Sequence, residues 1–319
     1  MADVVALGEV LIDFTSLPSD GYPVFEANPG GAPCNVLSAV CRLGHTGAIL
    51  GKVGMDSFGI LLKETLDRVG VDTSWLAMTP DYFTTLAFVS LDKQGDRSFT
   101  FSRKHSADIM LDVEDVSDAL LQQARIFQCG TLSLTHEKSR RATLYALQKA
   151  RSYGLLISVD PNLRENLWPD ALAARNAMFL VMEYADILKI SDYEVSFLYP
   201  DVDCETACTL IKQTCPFLKL LIVTKGRDGA SLFFQDTWYS SPSFLEVETI
   251  DTTGAGDAFC GAVLAFLLDR KGGVESLDES SCRELLLFAN AAASLSTTRR
   301  GAIEAMPSRS EVLGLLSSH

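Results

Sequence analysis

The stretch DTTGAGDAF, residues 251–259, runs directly into the apolar segment CGAVLAFLL, residues 260–268. A glycine-rich turn followed by so apolar a run reads as a buried helix that begins near Ala255. The first N–H groups of a helix have no partner inside it and lie at the positive end of its dipole. The N–H groups of Gly254, Ala255 and Gly256 are therefore expected to be unpaired donors, an anion site in which glycine lets a phosphate approach the backbone. Asp257 in the first turn would repel such an anion unless it has a task. Taking the proton of a hydroxyl that attacks phosphorus is one such task. A plain helix cap over a tight turn is the alternative, and spacing alone leaves both open.

Outward from this turn the chain alternates strand and helix. VVALGEVLIDF (4–14) reads as an apolar strand, GGAPCNVLSAVCRLG (30–44) as a loop entering a helix that stops at Gly44, AILGKVG (48–54) as a strand and 57–70 as a helix. Further strands are expected at 125–133, 155–162, 186–191 and 218–226. Helices are expected at 113–124, 137–153, 171–184, 192–199, 204–214, 255–270 and 283–297. Two segments break the rhythm: TTLAFVSLDKQGDRSFTFSR (84–103) reads as a hairpin around the DKQGD turn, and SLFFQDTWYSS (231–241) as a second hairpin. The expectation is one α/β domain over 1–319, a doubly wound, mostly parallel sheet with helices on both faces. A small β-sheet lid built from about 10–30 and 84–108 would cover one end. Ligands in such folds lie beyond the carboxyl ends of the strands.

With 319 residues, 47% of them hydrophobic, the chain can bury a large core. A formal net charge of −14 opposes nucleic acid and anionic membrane surfaces and favours a small-molecule partner. No apolar run has the length of a membrane span and the N-terminus has no secretory pattern, so a cytoplasmic protein is expected. The eight cysteines form no CxxC pair and read as reduced thiols. Two phosphate motifs are absent in detail. GAGDAF has Phe259 where a dinucleotide fingerprint needs its third glycine, and GAILGK (47–52) is one residue short of a Walker loop and followed by Val53.

Taken together, DTTGAGDAF and the upstream GGAPCNVLSAVCRLG resemble the paired signatures of the ribokinase-like (PfkB) carbohydrate kinases, and the similarity extends from GEVLIDF to ANAAASLSTTRRGA. Within that family GEVLIDF, the GGAPxN loop, LAFVSLDKQGDRSF and DPNLRENLW most resemble fructokinases. The resemblance implies transfer of the γ-phosphoryl group of ATP, with Mg²⁺, to the 6-hydroxyl of fructose. Asp257 would be the base and Gly254, Ala255 and Gly256 the anion hole. It implies sugar contacts at Asp13, Gly30, Gly31 and Asn35, and nucleotide contacts at Lys189, Thr224, Gly226, Gly229 and Asn290. Glu194 would act on Mg²⁺ through water; in KISDYE, Ser191 stands where many relatives carry the Asn of an Asn-x-x-Glu pattern. Asp251 and Thr253, with carbonyls near Ser296, Arg299 and Gly301, match a site for a monovalent cation, K⁺.

Arg103 and Arg164 are expected near the acceptor or the transferring phosphate. They would equally suit a substrate carboxylate, which makes a 2-keto-3-deoxygluconate kinase the rival substrate reading, with ribokinase beside it. A sugar-sensing regulator without catalysis is the non-enzyme alternative. The resemblance also implies a homodimer formed through the lid.

Overall fold

Strand β1 (Val4–Leu7) sends Val4 and Ala6 into one apolar cluster and Val5 and Leu7 into another. A strand buried on both faces requires helices on both sides of its sheet. The computed structural model describes residues 2–17, 19–91 and 97–318. After β1 come β2 (Leu11–Leu17), β3 (Val24–Gly30), β4 (Gly47–Gly54), β5 (Val71–Asp72), β6 (Leu76–Thr79), β7 (Thr85–Leu91) and β8 (Arg97–Ser102). They are followed by β9 (Ile126–Cys129), β10 (Leu156–Val159), β11 (Ile187–Ser191), β12 (Leu220–Thr224), β13 (Ala230–Phe234) and β14 (Thr237–Ser241). The helices are α1 (Ala32–Arg42), α2 (Ser57–Arg68), α3 (Asp118–Leu121), α4 (Glu137–Ser152), α5 (Ala171–Met182), α6 (Asp192–Leu198), α7 (Cys204–Thr214), α8 (Ala255–Asp269), α9 (Glu279–Ser296) and α10 (Arg309–Ser317).

The main sheet has the order β14-β13-β12-β11-β10-β9-β1-β4-β5, with β6 also paired to β4. It is parallel from β5 to β12, and the β13–β14 hairpin closes one edge antiparallel. The smaller sheet, β3-β2-β7-β8, is the lid. This is the ribokinase-like α/β architecture. The DKQGD turn of the first hairpin lies outside the described residues. Among the described residues no helix is long and apolar enough to cross a membrane.

Several boundaries differ from the sequence expectation, each for a local reason. The single strand expected over 4–14 is two, because the chain leaves the main sheet after Leu7 and joins the lid at Leu11, where β2 pairs with β3 and β7. That crossing hangs Glu9 and Asp13 at the junction of the two sheets. The helix expected at 113–124 is a 3₁₀ turn at Val113–Asp115 and one turn of helix at Asp118–Leu121, since Asp112 and Ser117 each cap a separate start. The strand expected at 125–133 ends at Cys129, and Leu132–Thr135 form a 3₁₀ turn. The helix expected from 283 begins at Glu279, where Asp278 accepts from the Ser281 N–H at 2.9 Å. Helix α10 was not anticipated, although Ser308 and Glu311 form a capping box at its start.

Candidate active site

Two cavities meet at the amino end of α8. One, of about 310 Å³, lies between the lid and the main sheet, with Glu9, Asp13, Asn35, Phe101, Arg164 and Asp257 among its walls. The other, of about 720 Å³, is walled in part by Lys189, Thr224, Gly226, Gly229, Gly256 and Asn290. Thr252 borders both, so the loop before α8 is the partition between them.

At that partition Gly254 is the N-cap of α8, in the left-handed region with φ 76°. The N–H groups of Gly254 and Gly256 find no acceptor among the described residues, whereas Ala255 N–H reaches the Thr252 carbonyl at 3.3 Å. Two of the three expected donors are thus fully free, and the third is engaged in a long bond within the turn.

Asp257 is 7% exposed and faces the smaller cavity. Burial pushes its carboxyl up to about 6, against the Asn35 hydrogen bond and the charges of Lys189 and Arg164, while Glu9 adds to the rise. Asn35 donates through Nδ2 to Asp257 Oδ2 at 2.8 Å, and Asn35 Oδ1, also buried, has no partner among the described residues. Asp13 is likewise pushed up to about 6 by burial, with Arg164 opposing and the Asp257 and Asp251 carboxylates adding. Gly30 and Gly31 make room here. A Cβ on Gly30 would stand 2.7 Å from Asp13 Oδ2, and Gly31, at φ +112°, would put one 2.4 Å from the Glu9 carbonyl.

On the other side, Lys189 is buried and donates to Asp160 at 2.9 Å. Asn290 is buried, contrary to a solvated helix amide, and its Nδ2 donates to the Ser241 and Pro242 carbonyls at 3.1 and 3.2 Å. Both amide protons are thereby used, leaving Asn290 Oδ1 as its remaining hydrogen-bonding group. Gly229, at φ +85°, admits the Ser241 carbonyl so closely that a Cβ would lie 2.1 Å away, which fixes the loop carrying Thr224 and Gly226.

Residues 1–309 match the family described as pfkB family carbohydrate kinase. The chain is 40% identical to fructokinase-1 of Zea mays, over 98% of this chain and 97% of that protein. The chain belongs to the pfkB family of carbohydrate kinases. A crystal structure of a fructokinase with bound ATP from Xylella fastidiosa superposes with a TM-score of 0.92 at 32% identity, covering 100% of this chain and 99% of the other. A double-mutant fructokinase from Vibrio cholerae O395, in fructose, ADP and potassium ion bound form, gives a TM-score of 0.89 at 31% identity, covering 99% and 98%.

Two expected site residues of this kinase, Arg103 and Glu194, stand back from the cavities. Arg103 is 8% exposed and lines neither cavity. Its guanidinium pairs with Asp108 at 2.7 Å and donates to Thr135 Oγ1 at 2.6 Å and to the Leu132 carbonyl at 3.1 Å, so it braces Leu132, which does line the smaller cavity. Glu194 also lines neither cavity. Its carboxylate accepts from the Leu163 N–H at 2.7 Å and from the Ser191 N–H and hydroxyl, both at 2.8 Å. Ser191 thereby acquires a structural role as the N-cap of α6. Arg164 lines the smaller cavity, donating to Asn162 Oδ1 at 2.7 Å.

The residues matched to a monovalent-cation site converge beside the α8 tip only in part. Asp251 accepts from Thr253 N–H and hydroxyl at 2.9 and 2.7 Å and from Gly301 N–H at 3.1 Å, stapling the turn to the 297–301 segment. Ser296 hydroxyl donates to the Ala293 carbonyl and Arg299 pairs with Glu311.

Sequence reasoning missed Glu9, Asp160, Phe101, Leu132 and Asn162. Glu9 accepts from the Ala32 N–H at 3.0 Å and, with its pKa raised by burial, borders the smaller cavity. Glu9 lies two residues after β1 and Asp160 directly follows β10, and that position beyond a main-sheet strand was the available signal.

Proposed function

We propose that this kinase transfers the γ-phosphoryl group of ATP to the 6-hydroxyl of D-fructose, with the sugar in the cavity beneath the lid and ATP in the larger one. The observation that carries the reading is Asp257, a buried carboxylate in the first turn of α8 that faces the sugar side while the free amides of Gly254 and Gly256 share the same tip. Asp257 takes the proton of the sugar hydroxyl, whose oxygen attacks the γ-phosphorus. The bond from phosphorus to the β-bridging oxygen breaks, and ADP leaves. The amides, with Ala255 between them, receive the charge on the transferred group. Thr224, Gly226, Gly229 and Asn290 hold the nucleotide, with Lys189 at its phosphates. Asp13, Asn35 and the close backbone at Gly30 and Gly31 hold the sugar.

The charge on the smaller cavity's walls favours a neutral sugar over a sugar acid. Glu9, Asp13 and Asp257 face it with Arg164, while Arg103 is committed to Asp108. A substrate carboxylate would meet more negative than positive charge there, which speaks against 2-keto-3-deoxygluconate.

Among the described residues no group of three acidic, His or Cys side chains is placed to hold a metal, and Glu194 is committed to Ser191 and Leu163. The residues therefore do not form a Mg²⁺ site of their own, and ATP enters as its Mg²⁺ complex, the ion carried by the phosphates. A K⁺ ion beside Asp251 would reinforce the positive potential at the α8 tip; comparing rates in potassium and choline chloride tests it. Tyr22, Val24 and Phe25, exposed on or beside the lid strands, are consistent with two lids pairing in a homodimer, which sedimentation velocity tests. Eight free cysteines suit a reducing, cytoplasmic setting.

The deciding experiment supplies MgATP with fructose, ribose, 2-keto-3-deoxygluconate or no sugar, and identifies products by NMR. Fructose 6-phosphate with little turnover of the others is expected. Sugar binding without any phosphorylated product would favour the regulator instead.

A further inference from the structure

Asp160 directly follows β10 and stands one step beyond the pairing of Val159 with Leu188, which sets it against Lys189 of β11. Its Oδ2 lies 2.9 Å from Lys189 Nζ, and the two residues are 3% and 7% exposed. Asp160 borders neither cavity, whereas Lys189 borders the larger one. A Cβ on Gly256 would be 3.1 Å from Nζ, so the ammonium rests over the first turn of α8, beside the free amides. Among the described residues it is the one buried cation on the walls of that cavity. An ammonium has three donors, and Asp160 takes one.

Asp160 also differs from the other buried aspartates of the sheet. Asp186 accepts from the Ile157 N–H at 2.9 Å and pairs with Arg151, so it holds backbone. Asp160 Oδ1 accepts from nothing among the described residues, and neither does the nearby strand's Ser158 hydroxyl. The side-chain bond that Asp160 makes goes to the lysine.

We propose that Asp160 is a positioning residue for phosphoryl transfer: from behind Lys189 its carboxylate keeps the ammonium charged and aimed at the α8 tip, where the transferring phosphoryl oxygens arrive. This rests on the kinase reading above. Burial works against charge on Lys189, and the carboxylates of Asp160, Glu194 and Asp257 outweigh it, holding its pKa above the ordinary value. Without Asp160, burial is opposed only by Glu194, which is tied to Ser191 and Leu163, and by Asp257, whose charge is neutralised when it accepts the sugar proton. The neighbouring Cys260 stays a neutral thiol, its pKa raised by burial.

The test measures kcat and the KM for ATP from pH 6 to 10 in the full chain and in Asp160→Asn, Asp160→Glu, Lys189→Met and the Asp160→Asn/Lys189→Met double variant. Asn keeps the shape and an acceptor but removes the charge. Asp160→Asn should lower kcat at pH 8 by about a hundredfold, the scale for losing one preorganised electrostatic contact. It should also introduce a falling alkaline limb that the unsubstituted kinase lacks, with activity recovering toward pH 6.5. Asp160→Glu should restore the flat alkaline profile, and the double variant should be no worse than Lys189→Met. A profile for Asp160→Asn parallel to that of the unsubstituted kinase would overturn the proposal, as would an alkaline limb that survives in the double variant. Absence of any sugar phosphorylation by the unsubstituted chain would instead overturn the kinase reading, and the inference with it.

Discussion

Replacing Asn35 with leucine isolates one hydrogen bond. Asn35 is 4% exposed, and its Nδ2 lies 2.8 Å from Asp257 Oδ2, so a near-isosteric leucine removes the donor without admitting water. A hydrogen bond to a charged group contributes about 1.5–3 kcal/mol, and about 1.4 kcal/mol corresponds to one pKa unit. The Asp257 carboxyl, already pushed up to about 6, should therefore rise by about one to two further units in Asn35→Leu. Because Asp257 must be ionised to accept a proton, the acid limb of kcat/KM moves with it, from near pH 6 to about pH 7–8. At pH 7 this alone costs roughly fourfold for a shift of about 1.5 units, and at pH 9 the cost vanishes. Loss of the sugar contact adds a factor that is the same at every pH. Initial rates of ADP release from pH 5.5 to 9.5, at low fructose, separate the two. An acid limb in the variant that coincides with that of the unsubstituted kinase would refute the assignment of Asp257 as the titrating base.

Asp257→Asn should lower kcat by about 10³-fold or more yet raise the melting temperature at pH 7.5. The folded-state value of about 6 lies above the ordinary 3.8, so the folded chain binds this proton more tightly than the unfolded one, and the associated stability is present below 3.8 and lost as pH rises through about 6. The shift corresponds to about 3 kcal/mol; Asp13 and Asp160 act in the same sense, and a melting curve that did not shift upward between pH 7.5 and 5 would contradict all three. Arg103→Leu leaves Asp108 buried without its cation and should cost about 3–5 kcal/mol, read by chemical denaturation. A rise in the fructose KM with unchanged stability would instead make Arg103 a substrate contact. Gly31→Ala places a Cβ 2.4 Å from the Glu9 carbonyl at φ +112°, a strain of about 1–3 kcal/mol, and should raise the KM for fructose while leaving that for ATP near its original value.

What the sequence made legible was whatever local chemistry encodes. The α8 tip, the α1 loop and the strand–helix alternation each carry glycines, caps and periodicity within a short window. Helix α7 matches its expected span, 204–214, because Asp203 caps it and its apolar face has helical spacing. The break between β1 and β2 was not legible, since VVALGEVLIDF is apolar throughout and only the pairing of Leu11–Leu17 with two lid strands reveals the crossing. Arg103 was read as a ligand contact because its residue type suits anions, and Glu194 because the family resemblance implied a role on Mg²⁺ through water. Their partners, Asp108 at five residues and Leu163 at thirty-one, are set by tertiary packing. Asp160 escaped notice for the converse reason: its meaning lies in a lysine on the neighbouring strand.

The bond between Asn35 and Asp257 spans 222 positions of the chain, and it holds because α1 and α8 pack so closely that a Cβ on Gly261 would lie 2.5 Å from Ala39 Cβ. As the polypeptide emerges from the ribosome, Glu9, Asp13 and Asn35, which line the smaller cavity, are made long before the α8 tip. A half-synthesised chain therefore lacks Asp257 and the amides of the α8 tip. On the proposed reading, phosphoryl transfer then requires α8 to dock against α1, so a nascent chain that ends before α8 is expected to leave ATP intact.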